Sequence, residues 1–363
     1  MSWSFRIGRY FGIDVYLHFT FVLVLGFLAV VYWKAEQDVL RVIEGLLFFL
    51  AIFLCVLLHE FGHALMARRY GVKTRDITLL PIGGLARLER IPQEPMQELW
   101  IALAGPAVNV VIAGGLALLL TLGGAWQPLE NLTPTGGHFA ERLLVLNVFL
   151  VLFNMLPAFP MDGGRVVRAL LALRLGFARA TRIAARLGQG MAFLFALVGL
   201  LLPQPMLVLI ALFVWIGAGQ EAGAAEFKSS IGGVAVERAM MTDFRVLEPD
   251  DSLGRAVQFI LAGAQQDFPV VDQERVVGVL TRRRLIEALT QRSPTTAVRE
   301  VMTFQFDVAR PEELVEDALA RGRAQDLQLL PVVREGRLVG LLTVENLSEY
   351  VAIQAALRER QRV

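Results

Sequence analysis

Two histidines and a glutamate in the first part of the chain have the spacing of a metal site. The stretch LLHEFGHALMARRYG, residues 57–71, places His59 and His63 four residues apart, with Glu60 directly after the first. On a helix, residues four apart share a face, so both imidazoles can bind one zinc ion. Glu60 then lies beside the metal, where it can activate a water molecule for hydrolysis. The alternative is a helix whose two histidines only hydrogen-bond to neighbouring groups.

The segment around this motif is strongly apolar. Thirteen unbroken apolar residues, 46–58, precede His59. A run of this kind is typical of a helix inside a lipid bilayer. Ionisable side chains are costly inside a bilayer and are kept there mainly for function. The apolar surroundings therefore favour a functional metal site over a helix whose histidines only hydrogen-bond to neighbouring groups.

A catalytic zinc ion takes a third protein ligand and leaves its fourth position to water. Asp162, in the segment NMLPAFPMDGGRVVRAL at 154–170, is the candidate for this ligand. It follows a predicted membrane span at the cytoplasmic end, where the histidines also lie, so we expect it at their depth. Gly163 and Gly164 permit close approach of the backbone. Alternatively, Asp162 caps a helix that begins near Arg165, and one carboxylate can serve both roles.

The composition indicates a membrane protein. Of the 363 residues, 55% are hydrophobic, and the mean hydropathy of +0.54 is too high for an ordinary soluble protein. The net charge of +1 gives no reason to expect nucleic acid as a partner. The single cysteine, Cys55, excludes an intrachain disulfide and a cysteine-rich zinc site.

Spanning a bilayer takes about 20 mainly apolar residues. Six segments fit this pattern, at roughly 15–33, 43–66, 99–122, 143–160, 184–202 and 206–220. Lysine and arginine concentrate before the first span, between the second and third, and between the fourth and fifth. By the positive-inside rule, that side is cytoplasmic. The sequence thus predicts a multi-pass protein of the cell membrane whose two termini and C-terminal region are cytoplasmic.

The chain after the last span contains a repeat. Met241-Thr242 matches Met302-Thr303, and FPVV at 268–271 matches LPVV at 330–333. Short apolar runs bounded by proline and glycine predict the order strand, helix, strand, strand, helix in each copy. We predict four parts: a membrane domain at 1–222, a linker at 223–235, a first copy at 236–290, and a second copy with its tail at 291–363.

These motifs together resemble two known families. HEFGH at 59–63 and NMLPAFPMDGG at 154–164 resemble the site-2 protease family of intramembrane zinc metalloproteases, over roughly residues 10–220. The repeat resembles a tandem pair of cystathionine-β-synthase (CBS) domains, and the layout resembles the CBS-containing branch of that protease family. The resemblance implies a polytopic α-helical membrane protein with six transmembrane helices and a C-terminal α/β tandem CBS-domain pair.

The resemblance implies one Zn²⁺ per chain, bound by His59, His63 and Asp162, with Glu60 as the general base. Members of this branch carry a histidine in the first span, so His18 either approaches the metal or forms an interfacial hydrogen bond.

The resemblance also implies residues that engage the substrate. Asn154 and Pro157 match the family's N-x-x-P element, which binds the substrate backbone or stabilises the oxyanion. Gly83 and Gly84 fall where the family has a β-hairpin that pairs with an extended substrate; an ordinary interfacial loop is the alternative. Asn109, in the small-residue element of the third span, is expected to bond between helices, with a hydrogen bond near the site as the alternative.

CBS pairs often bind ATP or another adenine nucleotide, through a T-x-x-D segment whose acid reaches the ribose. Here the matching segments give Thr281 with Arg284 and Thr343 with Asn346, so neither copy has the acid. Arg284 could bind a phosphate and Asn346 a hydroxyl. The alternative is a scaffold or dimerisation module, and the resemblance implies a homodimer through these domains.

The predicted function is hydrolysis of a peptide bond within or near a transmembrane segment of a single-span membrane protein in the same lipid bilayer. The CBS pair is predicted to regulate this activity through adenine nucleotide. Two alternatives are a CBS-regulated metal-ion transporter, since intramembrane His and Asp can mark an ion path, and a non-catalytic membrane adaptor.

Overall fold

The computed structural model describes residues 3–81, 83–88, 94–124, 138–263, 265–324 and 329–360. The chain forms two compact units, Met1–Ala225 and Glu226–Val363. The first holds the predicted membrane region and the second holds the repeat.

A four-stranded sheet lies in the first unit. Its strands are, in chain and spatial order, β1 (Ser4–Tyr10), β2 (Ile13–His18), β3 (Thr74–Leu80) and β4 (Gly83–Leu88). The outer pairs are antiparallel, and β2 runs parallel to β3. The predicted hairpin after the second span is therefore β3 and β4; Ile82, between the two strands in sequence, lies outside the described residues.

Seven helices begin in the described part of this unit: α1 (Phe19–Glu36), α2 (Val39–Arg69), α3 (Pro95–Leu122), α4 (Phe139–Asn154), α5 (Asp162–Leu175), α6 (Phe177–Leu201) and α7 (Pro205–Ile231). Among the described residues, α2, α3, α6 and α7 are long and apolar enough to cross a membrane. These four helices identify a membrane protein.

The two other predicted spans are shorter than expected. The first span was placed at 15–33, but its first four residues belong to β2, because Val15 pairs with Ile77 of β3 in a buried core. The fourth was placed at 143–160, but α4 ends at Asn154, before Pro157 can disrupt the helix. Its 16 residues cover about 24 Å, less than the hydrocarbon thickness. The count of six spans stays a prediction.

The segment predicted as a linker, 223–235, is helical as far as Ile231, where α7 ends. Its alanines, with Glu226 and Lys228, are good helix formers, and Gly232 and Gly233 follow the last helical residue.

Each copy of the repeat contains a helix, a two-stranded hairpin and a second helix. The elements are α8 (Leu253–Ala262), β5 (Phe268–Asp272), β6 (Arg275–Leu280) and α9 (Arg282–Leu289), then α10 (Val315–Ala324), β7 (Leu329–Arg334), β8 (Arg337–Thr343) and α11 (Val344–Arg360). The predicted first strand is reduced to single bridges, Leu247 to Val270 and Ala309 to Val332.

The two copies exchange their leading segments. Val236 and Ala239, which begin the first copy in sequence, are buried in the core of the second. Val298 and Met302, which begin the second copy, are buried in the core of the first. The hydrophobic cores therefore cross the predicted boundary between 290 and 291.

Candidate metal centre

The three predicted metal ligands meet in one buried group. His59 and His63 lie on the same face of α2, and Asp162 is the first residue of α5. The two Nε2 atoms are 3.0 Å apart, and Asp162 Oδ2 lies 3.1 Å from His59 Nε2 and 3.0 Å from His63 Nε2. Each residue is at most 7% exposed. Two helices far apart in sequence thus bring three donor atoms to one point.

The other ring nitrogens show that this group suits a metal ion. His59 Nδ1 lies 2.6 Å from Asn109 Oδ1, and His63 Nδ1 lies 2.7 Å from the carbonyl oxygen of Ile101. Both partners are acceptors, so each Nδ1 carries the proton and each Nε2 keeps a lone pair for a metal. Tetrahedral zinc ligands about 2.0 Å from the metal are about 3.3 Å apart, close to the observed spacing. The donor set fits zinc.

The side-chain amides of Asn109 and Asn147 form a hydrogen-bonded chain that begins at His59 Nδ1. Asn109 Nδ2 donates to Asn147 Oδ1 at 2.8 Å, and Asn147 Nδ2 donates to the Leu143 carbonyl at 2.8 Å and lies 3.4 Å from Cys55 Sγ. Asn109 and Asn147 are fully buried. The expectation that Asn109 bonds only between helices is incomplete, because its oxygen accepts from His59. Sequence reasoning missed Asn147; an amide within the otherwise apolar run 143–153 was the available signal.

Close packing of α3 against α2 makes room for the histidine rings. A Cβ atom at Gly105 would collide with the His63 ring and would lie 2.7 Å from His59 Nε2. Pro106 follows Gly105 inside α3 and has no backbone N–H. The small-residue element of the third span therefore forms one wall of the candidate metal centre.

Asp162 does not cap its helix. The cap position of α5 is Met161, and Asp162 is the first helical residue. Its carboxylate is directed at the two histidines, so the alternative role as a helix cap is wrong. The helix also begins at Asp162 itself, before the predicted break at Gly163-Gly164.

Glu60 lies between the histidines and the β-hairpin. It interacts electrostatically with both histidines and with Asp162. A Cβ atom at Gly84 would lie 2.5 Å from Glu60 Cγ, so β4 passes directly over this side chain. Gly83 begins the same strand, at the open edge of the sheet.

The other predicted residues of this unit lie around the loop before Asp162 or apart from the centre. Asn154 is the last residue of α4 and donates to the Leu150 carbonyl at 3.0 Å. Pro157 is exposed in the loop between α4 and α5. His18 caps α1 and hydrogen-bonds Thr20, with 2.7 Å between Nδ1 and Oγ1. The metal-ligand group found among the described residues does not include His18.

The predicted nucleotide residues are helix-terminal residues in the second unit. Thr281 caps α9 by accepting from the Arg284 backbone, and Thr343 accepts from the Asn346 backbone at 3.1 Å. Arg284 Nε donates to the Val301 carbonyl at 2.6 Å, so this side chain is already engaged. Asn346 Oδ1 is buried without a hydrogen-bond partner among the described residues.

Asp267, which sequence reasoning missed, accepts from the Arg282 backbone at 2.8 Å. Burial raises the pKa of this carboxyl.

Comparison with known proteins decides the family. The model for peptidase family M50 matches residues 47–134 and 130–197, and the CBS-domain model matches 236–291 and 298–353. A zinc metalloprotease of Methanocaldococcus jannaschii is 36% identical over 280 residues, which cover 77% of this chain and 78% of that protein. The chain belongs to peptidase family M50. It is a zinc metalloprotease of the site-2 protease type with two CBS domains.

Two further relatives extend this comparison. A Synechocystis protein named as a zinc metalloprotease is 30% identical over 380 aligned positions, covering 98% of this chain and 97% of its own length. A solved structure of a site-2 protease from Methanocaldococcus jannaschii is 36% identical, covers 61% of this chain and 95% of its own, and has a TM-score of 0.45. The names of the relatives support the enzyme among the three functions considered from the sequence.

Proposed function

We propose that this protease hydrolyses peptide bonds within or near the transmembrane segments of single-span membrane proteins. The observation that carries the proposal is the buried group of His59, His63 and Asp162, with Glu60 beside it on an apolar helix of 31 residues. A helix of that length exceeds the thickness of the hydrocarbon core.

The roles of the side chains follow from their positions. His59, His63 and Asp162 would hold one zinc ion, which supplies the Lewis acidity that lets water lose a proton near neutral pH. Glu60 accepts the proton of the attacking water and returns it to the leaving amine. Asn109 and the Ile101 carbonyl keep the two imidazoles in the tautomer that presents Nε2.

The edge strand β4 supports a mode of substrate binding. A membrane helix satisfies its own backbone hydrogen bonds, so its peptide bonds are protected until it unwinds. Strand β4 stands at the edge of the sheet and can pair with an extended chain. Because Gly84 lies over Glu60, a segment paired with Gly83 and Gly84 would pass close to the general base. Asn154 and Pro157, in the loop that leads to Asp162, are proposed to contact the same segment.

We place both termini and the CBS pair on the cytoplasmic side, with six spans, because the lysines and arginines of the predicted connections fall on that side. The proposed regulator is ATP or another adenine nucleotide bound by the CBS pair. The buried, unpartnered Oδ1 of Asn346 supports a ligand in the second copy, and Arg284 supports it less because the Val301 carbonyl already occupies its Nε. A homodimer through the CBS domains is also proposed.

The position of the cut tests the proposal. The chain is co-expressed with a panel of single-span substrates, and the products are mapped by mass spectrometry. We expect cleavage within or next to the apolar segment, and no cleavage with Glu60→Gln. Cuts confined to soluble regions of the substrates would contradict an intramembrane site. In purified samples, ATP is expected to change the rate with wild type; an unchanged rate at saturating ATP would contradict nucleotide regulation.

A further inference from the structure

A buried arginine fixes the helix that carries Asp162. Arg168 lies six residues after Asp162 on α5 and is 2% exposed. Its Nε donates to Glu98 Oε1 of α3 at 2.7 Å, and a second nitrogen of the guanidinium also bonds Glu98. Its remaining nitrogen donates to Glu221 Oε2 of α7 at 2.7 Å. One side chain thus ties α5 to two neighbouring helices.

Stability alone does not explain this network. Burying the charges of Arg168 and Glu98, with Glu221 partly buried, carries a large desolvation cost, and replacing a buried ion network by apolar side chains is often neutral or stabilising. The hydrogen bonds of a planar guanidinium are directional, so they fix the relative positions of the groups that they join. The network therefore fixes where α5 stands relative to α3 and α7.

The loop before Asp162 is held by the same groups. The guanidinium of Arg168 lies over the ring of Phe159, 4.9 Å from its centroid. A Cβ atom at Gly217, one turn before Glu221 on α7, would lie 2.6 Å from Pro160 Cδ. Residues 159 and 160 lie three and two positions before Asp162. Helix α7 and Arg168 therefore together hold the loop before this ligand and the helix after it.

Charge continues from this network to the candidate metal centre. Arg165, on the turn of α5 between Asp162 and Arg168, interacts electrostatically with Asp162, Glu60, Glu98 and Glu221. A displacement of Glu221 would therefore change the position of Asp162 through packing and its electrostatic environment through Arg165.

We infer that Arg168 and Glu221 are positioning residues that set the placement of Asp162 for metal binding. The inference rests on the proposed function, because it takes Asp162 as the third metal ligand. The inference further assigns to α7, a helix that contributes no metal ligand, the role of fixing the position of Asp162.

The test uses the purified full chain and measures the affinity for zinc by chelator competition, the visible spectrum of the cobalt-substituted protein, and thermal unfolding. Glu221→Gln removes the charge and keeps the shape of the side chain. We expect about a 10- to 100-fold lower zinc affinity, the range for residues that orient metal ligands, and a changed cobalt spectrum. Glu221→Asp is expected to recover part of the affinity.

A matched control separates positioning from general loss of an ion pair. Glu44→Gln breaks an ion pair between α2 and α4, with Arg142 at 3.4 Å, and leaves α5 untouched. It should bind zinc like wild type. A triple variant, Glu98→Gln, Arg168→Met and Glu221→Gln, removes all three charges of the network together, and Arg165 keeps Asp162 and Glu60 as neighbouring opposite charges. It should fold and show the lower affinity and the changed spectrum.

Wild-type affinity and spectrum in Glu221→Gln would overturn the inference, as would an equal loss in Glu44→Gln. A wild-type chain that binds no zinc would overturn the proposed function and this inference with it. Zinc bound normally by wild type and by Glu221→Gln would overturn the inference alone.

Discussion

At the scale of single residues, the candidate centre depends on groups that hold the imidazoles as much as on the donor atoms. His59 and His63 each direct a protonated Nδ1 at an acceptor, and this leaves both Nε2 atoms facing Asp162. The amide chain from Asn109 to Asn147 runs in one direction, with each member donating away from His59. These bonds keep His59 in a single tautomer.

Asn109→Ala should weaken zinc binding by about 10- to 100-fold, because His59 Nδ1 loses its acceptor and the ring loses its fixed orientation. Chelator competition on the purified chain measures this change. Asn109→Asp is the matched control: it keeps an oxygen for His59 and should retain more of the affinity than the alanine variant. Unchanged zinc affinity in Asn109→Ala would show that the hydrogen bond does not support the ligand.

At the scale of elements, the centre requires α3 to approach α2 more closely than side chains normally allow. Gly105 supplies this approach beside the histidine rings, and β4 makes a similar approach to Glu60 through Gly84. Glycines at these two positions therefore allow α3 and β4 to approach the histidines and Glu60 closely.

Gly105→Ala should destabilise the first unit by about 1–3 kcal/mol and weaken zinc binding, since the added methyl group collides with the histidine rings. Thermal unfolding and zinc affinity of the full chain measure both effects. Gly114→Ala on the same helix is the control, because nothing lies within 4 Å of its added Cβ. Alanine there should be neutral or stabilise by up to about 1 kcal/mol. Equal behaviour of the two variants would argue against the close approach.

The sequence predicted some of these features and not others. His59, Glu60, His63 and Asp162 were predicted because their types and spacing are unusual in an apolar chain. Strand β2 was not predicted, because an apolar strand that leads directly into an apolar helix shows no change in composition.

The contacts of Arg168 could not be predicted from the sequence. This residue lies between the fourth and fifth predicted spans, and it is buried and bonded to Glu98 and Glu221. These partners lie 70 and 53 residues away in the chain, and a local pattern of charges contains no information about contacts at that distance.

At the scale of the whole molecule, the chain combines a membrane protease unit with a separate unit built from two CBS copies. The copies exchange their leading segments, so each core contains residues from both copies. Neither copy is therefore a complete folding unit as the repeat defines it. The proposed metal belongs wholly to the first unit.

Removal of zinc with a chelator should abolish cleavage and lower the thermal stability of the first unit only. A ligand present at about 1,000 times its Kd stabilises the folded state by about 4 kcal/mol, and that stabilisation is lost with the metal. Hydrogen exchange of the full chain distinguishes the two units, and protection in 226–363 should not change. Loss of protection there on chelation would show that the second unit also depends on the metal, contrary to this prediction.

The most direct test of the central claim compares wild type with Glu60→Gln at equal zinc content. Both purified proteins are assayed on one single-span substrate in liposomes, with zinc measured on the same samples. We expect one zinc ion per chain in each protein and cleavage by wild type only, because Glu60 moves the proton and does not hold the metal. Equal cleavage by the two zinc-loaded proteins would contradict the assigned mechanism.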